Sequence, residues 1–106
     1  MAYVRQVSLT FPYEDIGRLQ NGSDLWMRLV AAQKLILQES SGMLDSGVWI
    51  TQLADGSLKV ISYSEWYSLE ELRSFDNDPD LKHHEAELIG AAVPNSRTYE
   101  VFETIG

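Results

Sequence analysis

His84 is the side chain of this chain whose type and spacing best suit chemistry. It stands three residues after Leu81 and four before Leu88, on the apolar stripe of a helical stretch. It is therefore expected to point at a sheet and at any space left there. A histidine so placed can take a proton from a phenolic substrate, since its ordinary pKa lies near ~6.5. The plainer alternative is a partly buried, satisfied side chain, and without a known partner that alternative weighs more. His83 diverges from it by ~100° around a helix and should be solvated near Glu87. Trp66 ends a β-rich run just before a helix start, where it can wall a pocket for a planar ligand; Tyr67 beside it can do the same. Trp26, at the start of a long helix, is a third candidate wall. Each of these aromatics can equally be a packing anchor.

Other chemistries lack their residues. No His-x-x-x-His pair or carboxylate cluster has ligand spacing, so no metal is expected. Gly-x-Ser-x-Gly and Gly-x-x-x-x-Gly-Lys are absent, which leaves out a nucleophile elbow and a phosphate loop. The chain has no cysteine, so disulfides and thiolate chemistry are excluded. Sixteen acidic residues against eight basic ones give a net charge of −8. The bases are scattered, Arg5 and Arg18 among them, which argues against nucleic acid and anionic membrane as partners. No apolar run approaches the ~20 residues of a membrane span, and no signal-like segment leads the chain, so a cytoplasmic location is expected.

These residues must be positioned by a small α+β framework. With 106 residues, 44% of them hydrophobic, the chain is expected to form a single domain over 1–106. Tyr3 to Phe11 alternates as a first strand, with Tyr3, Val7, Leu9 and Phe11 on one side. Tyr13 to Gly22 reads as a loop with a helical turn near Asp15 to Leu19. Ser23 caps a helix whose apolar row is Leu25, Leu29, Ala32 and Ile36, widened by Trp26, Val30 and Leu37. Gly42, after Ser40-Ser41, suits a left-handed C-cap. Two β-rich runs then flank Asp55-Gly56, which predicts a hairpin with a two-residue type I′ turn. That turn opposes Leu53 to Leu58, Ile50 to Ile61, Trp49 to Ser62 and Val48 to Tyr63. One face then carries Trp49, Leu53, Leu58, Val60 and Trp66; the other carries Val48, Ile50, Ile61 and Tyr63. Ser68 and Glu71 predict a capping box. Asp78-Pro79 restarts the helix after Leu69, Leu72 and Phe75. A last strand runs from Arg97 to Ile105.

The order is β-α-β-β-α-β, a ferredoxin-like fold with an antiparallel four-stranded sheet and both helical regions on one face. The other sheet face is expected to be apolar, and its natural cover is a second copy of the chain.

The run from Ile61 to Leu88 carries a resemblance. Ser64-Glu65-Trp66, Leu69-Glu70-Glu71-Leu72 and Asp78-Pro79-Asp80-Leu81-Lys82 together are similar to the central signature of the antibiotic biosynthesis monooxygenase-like proteins. These form the dimeric α+β barrel superfamily. The resemblance implies a homodimer through the helix-free sheet face and a small aromatic or polyketide-like ligand held between helices and sheet. It implies an oxidoreductase that uses dioxygen and no cofactor, with His84 and Trp66 as catalytic candidates. Trp26, Tyr67, Phe75, Gln6 and Ser62 are the substrate-binding candidates. Ser62 stands where the quinone-forming members carry asparagine. Gln6 stands where the haem-degrading members carry asparagine, and Phe75 and Asp76 where they carry histidine, so haem degradation is not implied. The alternative is a non-catalytic dimeric binding or structural module of the same fold.

Overall fold

The structure, a computed structural model, describes residues 1–38 and 42–105. Strand β1 spans Tyr3–Phe11, and a 3-10 helix over Tyr13–Leu19 leads into α1, Asp24–Gln38. Strands β2, Met43–Gln52, and β3, Leu58–Trp66, form the hairpin. Helices α2, Leu69–Asp76, and α3, Pro79–Ala91, precede β4, Thr98–Glu103. The sheet order is β2-β3-β1-β4 with every neighbouring pair antiparallel, so the ferredoxin-like order holds.

Local chemistry sets most element starts. The Ser23 carbonyl accepts the first α1 bond from Met27 N–H at 2.9 Å. Ser68 Oγ accepts from Glu71 N–H at 3.2 Å, and Asp78 Oδ1 from Asp80 N–H at 2.8 Å, with Pro79 at the first position of α3. The capping box is only half made. The Glu71 carboxylate lies against Gly42 instead of returning to Ser68, and its Oε2 is buried without a partner among the described residues. Gly42 therefore provides the space that this carboxylate fills, and the end of α1 that it was expected to cap falls on residues 39–41, outside the described ones. Ser40, Ser41 and the side chain of Leu37 lie outside the described residues.

The hairpin turn differs from the expected type I′ turn. Gly56 N–H bonds Leu53 O at 2.9 Å, so Ala54 and Asp55 are the central residues, and Gly56 follows with φ +91°. The loop thus holds one residue more, a turn closed by a glycine bulge. Asp55 Oδ1 accepts from Ser57 N–H at 2.9 Å and from Ser57 Oγ–H at 2.5 Å. The added residue slips the register by one: Ile50 opposes Val60, Trp49 opposes Ile61 and Val48 opposes Ser62. A one-residue slip moves every side chain of a strand to the other face. Val48 and Ile50 therefore join the helix side, while Trp49 lies beside Tyr63 on the helix-free side, with ring centroids 5.3 Å apart. Gly47 opposes Tyr63, and a Cβ there would lie 2.8 Å from Tyr63 Cε1.

All three helices cover one face. The core divides into two apolar clusters at the two ends of the sheet. Leu9, Phe11, Leu25, Leu29, Leu58, Val60 and Leu88 make one. Ile36, Trp66, Leu72, Phe75 and Leu81 make the other. The helix-free face is mixed rather than evenly apolar. Trp49, Ile61, Tyr63 and Phe102 share it with Gln6, Lys59, Glu65 and the hydrogen-bonded hydroxyls of Ser8 and Thr98. No helix among the described residues is long and apolar enough to cross a membrane.

Candidate ligand site

Small side chains open a chamber between the two apolar clusters. The helix-facing phase of β3 reads Leu58, Val60, Ser62, Ser64, Trp66, so two serines interrupt the apolar floor. Ala32 on α1 is correspondingly small in the roof. The space left is about 40 Å³, also walled by Leu29, Phe75, Leu81 and Leu88. That is room for water and far below the roughly 300–1,000 Å³ of ordinary ligand sites.

A larger groove adjoins it. Strand β2 is the sheet edge, and α1 does not cover all of it. Val48 and Ile50 overhang, and Trp26, Val30 and Lys34 face them across a groove of about 420 Å³. Leu29 and Gln33 line both groove and chamber, so these two side chains form the partition. A ligand in the groove would meet an aromatic wall, an aliphatic floor and, past the partition, a polar end.

That polar end is built on Arg5. It sits in the apolar phase of β1, opposite Ser64, with its side chain only 5% exposed. Burying a guanidinium costs several kcal/mol unless it is paired. Arg5 Nε donates to Asp76 Oδ1 at 2.7 Å, and Nη2 to Glu85 Oε1 at 2.6 Å. The guanidinium also lies 5.5 Å from the Phe75 ring centroid and 5.6 Å from that of Tyr99. Burial lowers the Arg5 pKa, but the field of Glu85 and the bonds to Asp76 and Glu85 outweigh it and leave it raised. Tyr99 O–H donates to Asp76 Oδ2 at 2.9 Å, and burial followed by that carboxylate raises the phenol's pKa. Glu85 Oε2 lies 3.7 Å from Arg97 Nη2. Among the described residues no group of three or more potential metal ligands converges.

The residues singled out from sequence do not gather in one place. Phe75 and Ser62 line the chamber, and Trp26 walls the groove. Trp66 is 0% exposed inside the second apolar cluster, where Nε1–H donates to Ser64 Oγ at 2.9 Å and the ring lies 5.3 Å from Phe75. It is a packing anchor away from the chamber wall. Tyr67 is 72% exposed, so it walls neither space. Gln6 opposes Tyr63 on the helix-free face and cannot reach the chamber through the sheet. His84 faces α1 instead of the sheet. Arg28 Nη1 donates to its Nδ1 at 3.2 Å, and since arginine only donates, Nδ1 carries no proton. The side chain from α3 that faces the chamber is the next one, Glu85.

Arg5 and Glu85 are the residues that sequence reasoning missed. The signal for Arg5 was its phase, in step with Tyr3, Val7, Leu9 and Phe11. The signal for Glu85 was that Leu81, Glu85 and Leu88 form an i, i+4, i+7 row as good as the row through His84.

The sequence matches no protein-family model and no curated protein. The fold has clear structural neighbours. A candidate antibiotic biosynthesis monooxygenase from Caulobacter crescentus CB15 superposes with a TM-score of 0.72 at 10% identity, covering 99% of this chain and 91% of its own. SnoaB, a cofactor-independent oxygenase from Streptomyces nogalater, gives 0.64 at 10% identity, covering 99% and 92%. The de novo designed protein Foldit4 gives 0.57 at 14% identity, covering 100% and 99%. The chain thus shares the architecture of antibiotic biosynthesis monooxygenase-like structures, as its central signature suggested. At these identities the likeness carries the fold and no residue role, and a designed chain reaches the same architecture.

Proposed function

We propose that this chain binds a flat, mostly apolar small molecule between α1 and the sheet and oxidises it with dioxygen, without a cofactor, as a homodimer. The observation that carries the reading is the groove of about 420 Å³ beside Trp26, separated from the polar chamber by only Leu29 and Gln33. Its size suits a fused aromatic ring system. The oxygenase neighbours of the same fold support the reaction class. In such a reaction an anthrone-type ring methylene becomes a carbonyl: one oxygen atom stays on the ring carbon, and the other leaves as water with the two hydrogens. The protein's part is to hold the ring flat and dry.

Dioxygen uptake with anthrone-type phenols tests the reaction. Trp26→Ala is expected to weaken binding of the same phenols about three- to tenfold, the usual worth of an aromatic face. Fluorescence titration checks it. No uptake, and binding indifferent to Trp26, would remove the reading.

One observation favours a second reading, a binding module without turnover. Neither Trp66 nor His84 reaches the chamber, and the charged groups that do, Arg5 and Glu85, neutralise each other. Its mark is a ligand-dependent rise in Tm with no dioxygen consumed.

The homodimer is supported by Trp49, 62% exposed beside Tyr63 on the helix-free face, with Ile61 and Phe102 on the same side. The protein is expected to sediment as a dimer at micromolar concentration, and Trp49→Glu as a monomer.

A further inference from the structure

We propose that Arg5 selects ligands bearing a single oxyanion, a carboxylate or phenolate on the apolar ring system, and that Glu85 yields its place on Arg5 to that group and passes to Arg97. This rests on the cleft between α1 and the sheet being the ligand site, and it adds the charge of the ligand.

Three observations converge on it. The first is position. Arg5 is the cation of the chamber, its side chain 5% exposed, whereas the groove that leads to it carries Lys34 on its wall among apolar side chains, with Gln33 at the partition and two serines beyond. A buried charged group beside an apolar cleft is the kind of feature that orients a ligand.

The second is the inequality of its two carboxylates. Asp76 is pinned from two sides, by Arg5 Nε at 2.7 Å and by Tyr99 O–H at 2.9 Å. Glu85 bonds Arg5 Nη2 at 2.6 Å, yet its other oxygen already lies 3.7 Å from Arg97 Nη2. Rotation of a flexible glutamate toward Arg97 exchanges one cation for another. The freed Nη2 donor is then left beside the chamber, where an incoming carboxylate or phenolate can take the charge-assisted bond.

The third is charge balance. Glu85 lines both the chamber and a polar pocket of about 320 Å³ behind it, formed with Asp76, Asn77, Lys82, Arg97 and Tyr99. Around these two spaces, which share Glu85 as a wall, stand three cations, Arg5, Lys82 and Arg97, against two carboxylates, Asp76 and Glu85. One further negative charge completes the set, and each arginine keeps an anionic partner after the exchange. A cationic ligand would instead have to share two carboxylates with three resident cations.

Calorimetric titration of the full chain with 2-naphthoate and with 2-naphthol, uncharged at neutral pH, tests this. Naphthoate is expected to bind about tenfold more tightly than naphthol, the worth of one charge-assisted bond. Glu85→Gln removes the competitor and should tighten naphthoate by about three- to tenfold while leaving naphthol within about twofold. Arg97→Gln removes the place to which Glu85 retreats and should weaken naphthoate alone, so the two variants have opposite signs that a general loss of structure cannot imitate. Equal affinity for the two probes, or equal responses of both probes to the variants, overturns the selection by Arg5 and leaves the cleft reading standing. If neither probe binds, the cleft reading itself fails, and this inference fails with it.

Discussion

Trp66→Ala is expected to destabilise the protein by about 3–5 kcal/mol, the range for removing a fully buried large aromatic side chain. The ring is 0% exposed and packs with Ile36, Leu72, Phe75 and Leu81. Alanine leaves a cavity that helices held by caps and strand pairing cannot readily fill. It also strips Ser64 Oγ, itself buried, of the indole N–H bonded to it at 2.9 Å. Since a domain of this kind is stable by only about 5–15 kcal/mol, such a loss removes a large share of the total. Urea denaturation followed by far-UV circular dichroism measures it. A loss under about 1 kcal/mol would mean that the Trp66 site collapses or refills, and that Trp66 is no anchor. Trp66→Phe keeps an aromatic ring beside Phe75 and is expected to lose less, with the remaining cost falling on Ser64.

Arg5→Met is the second large effect, with an expected cost of about 2–4 kcal/mol. Methionine fills the space but removes the cation that Asp76 and Glu85 share, leaving Asp76 with the Tyr99 hydroxyl and Glu85 with Arg97 at 3.7 Å. Their side chains are 28% and 16% exposed, so water relieves part of the repulsion and the cost stays below that of a fully sealed pair. Combining Arg5→Met with Glu85→Gln should restore part of the loss, because one of the two carboxylates left without Arg5 goes with it. A double-mutant cycle in urea reads this directly. If Glu85→Gln changes stability by the same amount in the Arg5→Met background as in the parent chain, the coupling is zero and the ion pair contributes nothing measurable. The cluster would then be a bystander to folding, whatever it does for ligands.

How far the sequence alone reached depends on the range of the interaction. Ser68, Asp78 and Pro79 mark their helix starts because a cap acts within three residues. Strand alternation placed Tyr3, Val7, Leu9 and Phe11 correctly for the same reason. The hairpin was legible as a hairpin and illegible in register. Asp55-Gly56 serves a two-residue turn or a bulged turn with one residue more, and the choice turns over every side chain of β2. What decides is which face of β2 finds apolar partners on α1: Val48 packs against the first core cluster, and Ile50, on the same face, lines the groove beside α1. His84 and Glu85 pose the same problem on a helix. Both positions are compatible with the stripe through Leu81 and Leu88. The helix is oriented by partners far along the chain: Arg28 for His84, and Arg5, 80 positions away, for Glu85.

The residue order by itself determined the elements, their sequence and the fold they make, because caps, periodicity and turn chemistry act between near neighbours. Only the folded chain decided where the space lies and which charges face it. A chamber exists where Ser62 and Ser64 of β3 meet Ala32 of α1, and Arg5 meets Asp76 and Glu85 from 71 and 80 positions away in the sequence. Such meetings depend on one-residue choices of register and helical phase, which local propensities leave nearly equal in energy and which long-range packing and ion pairing then separate.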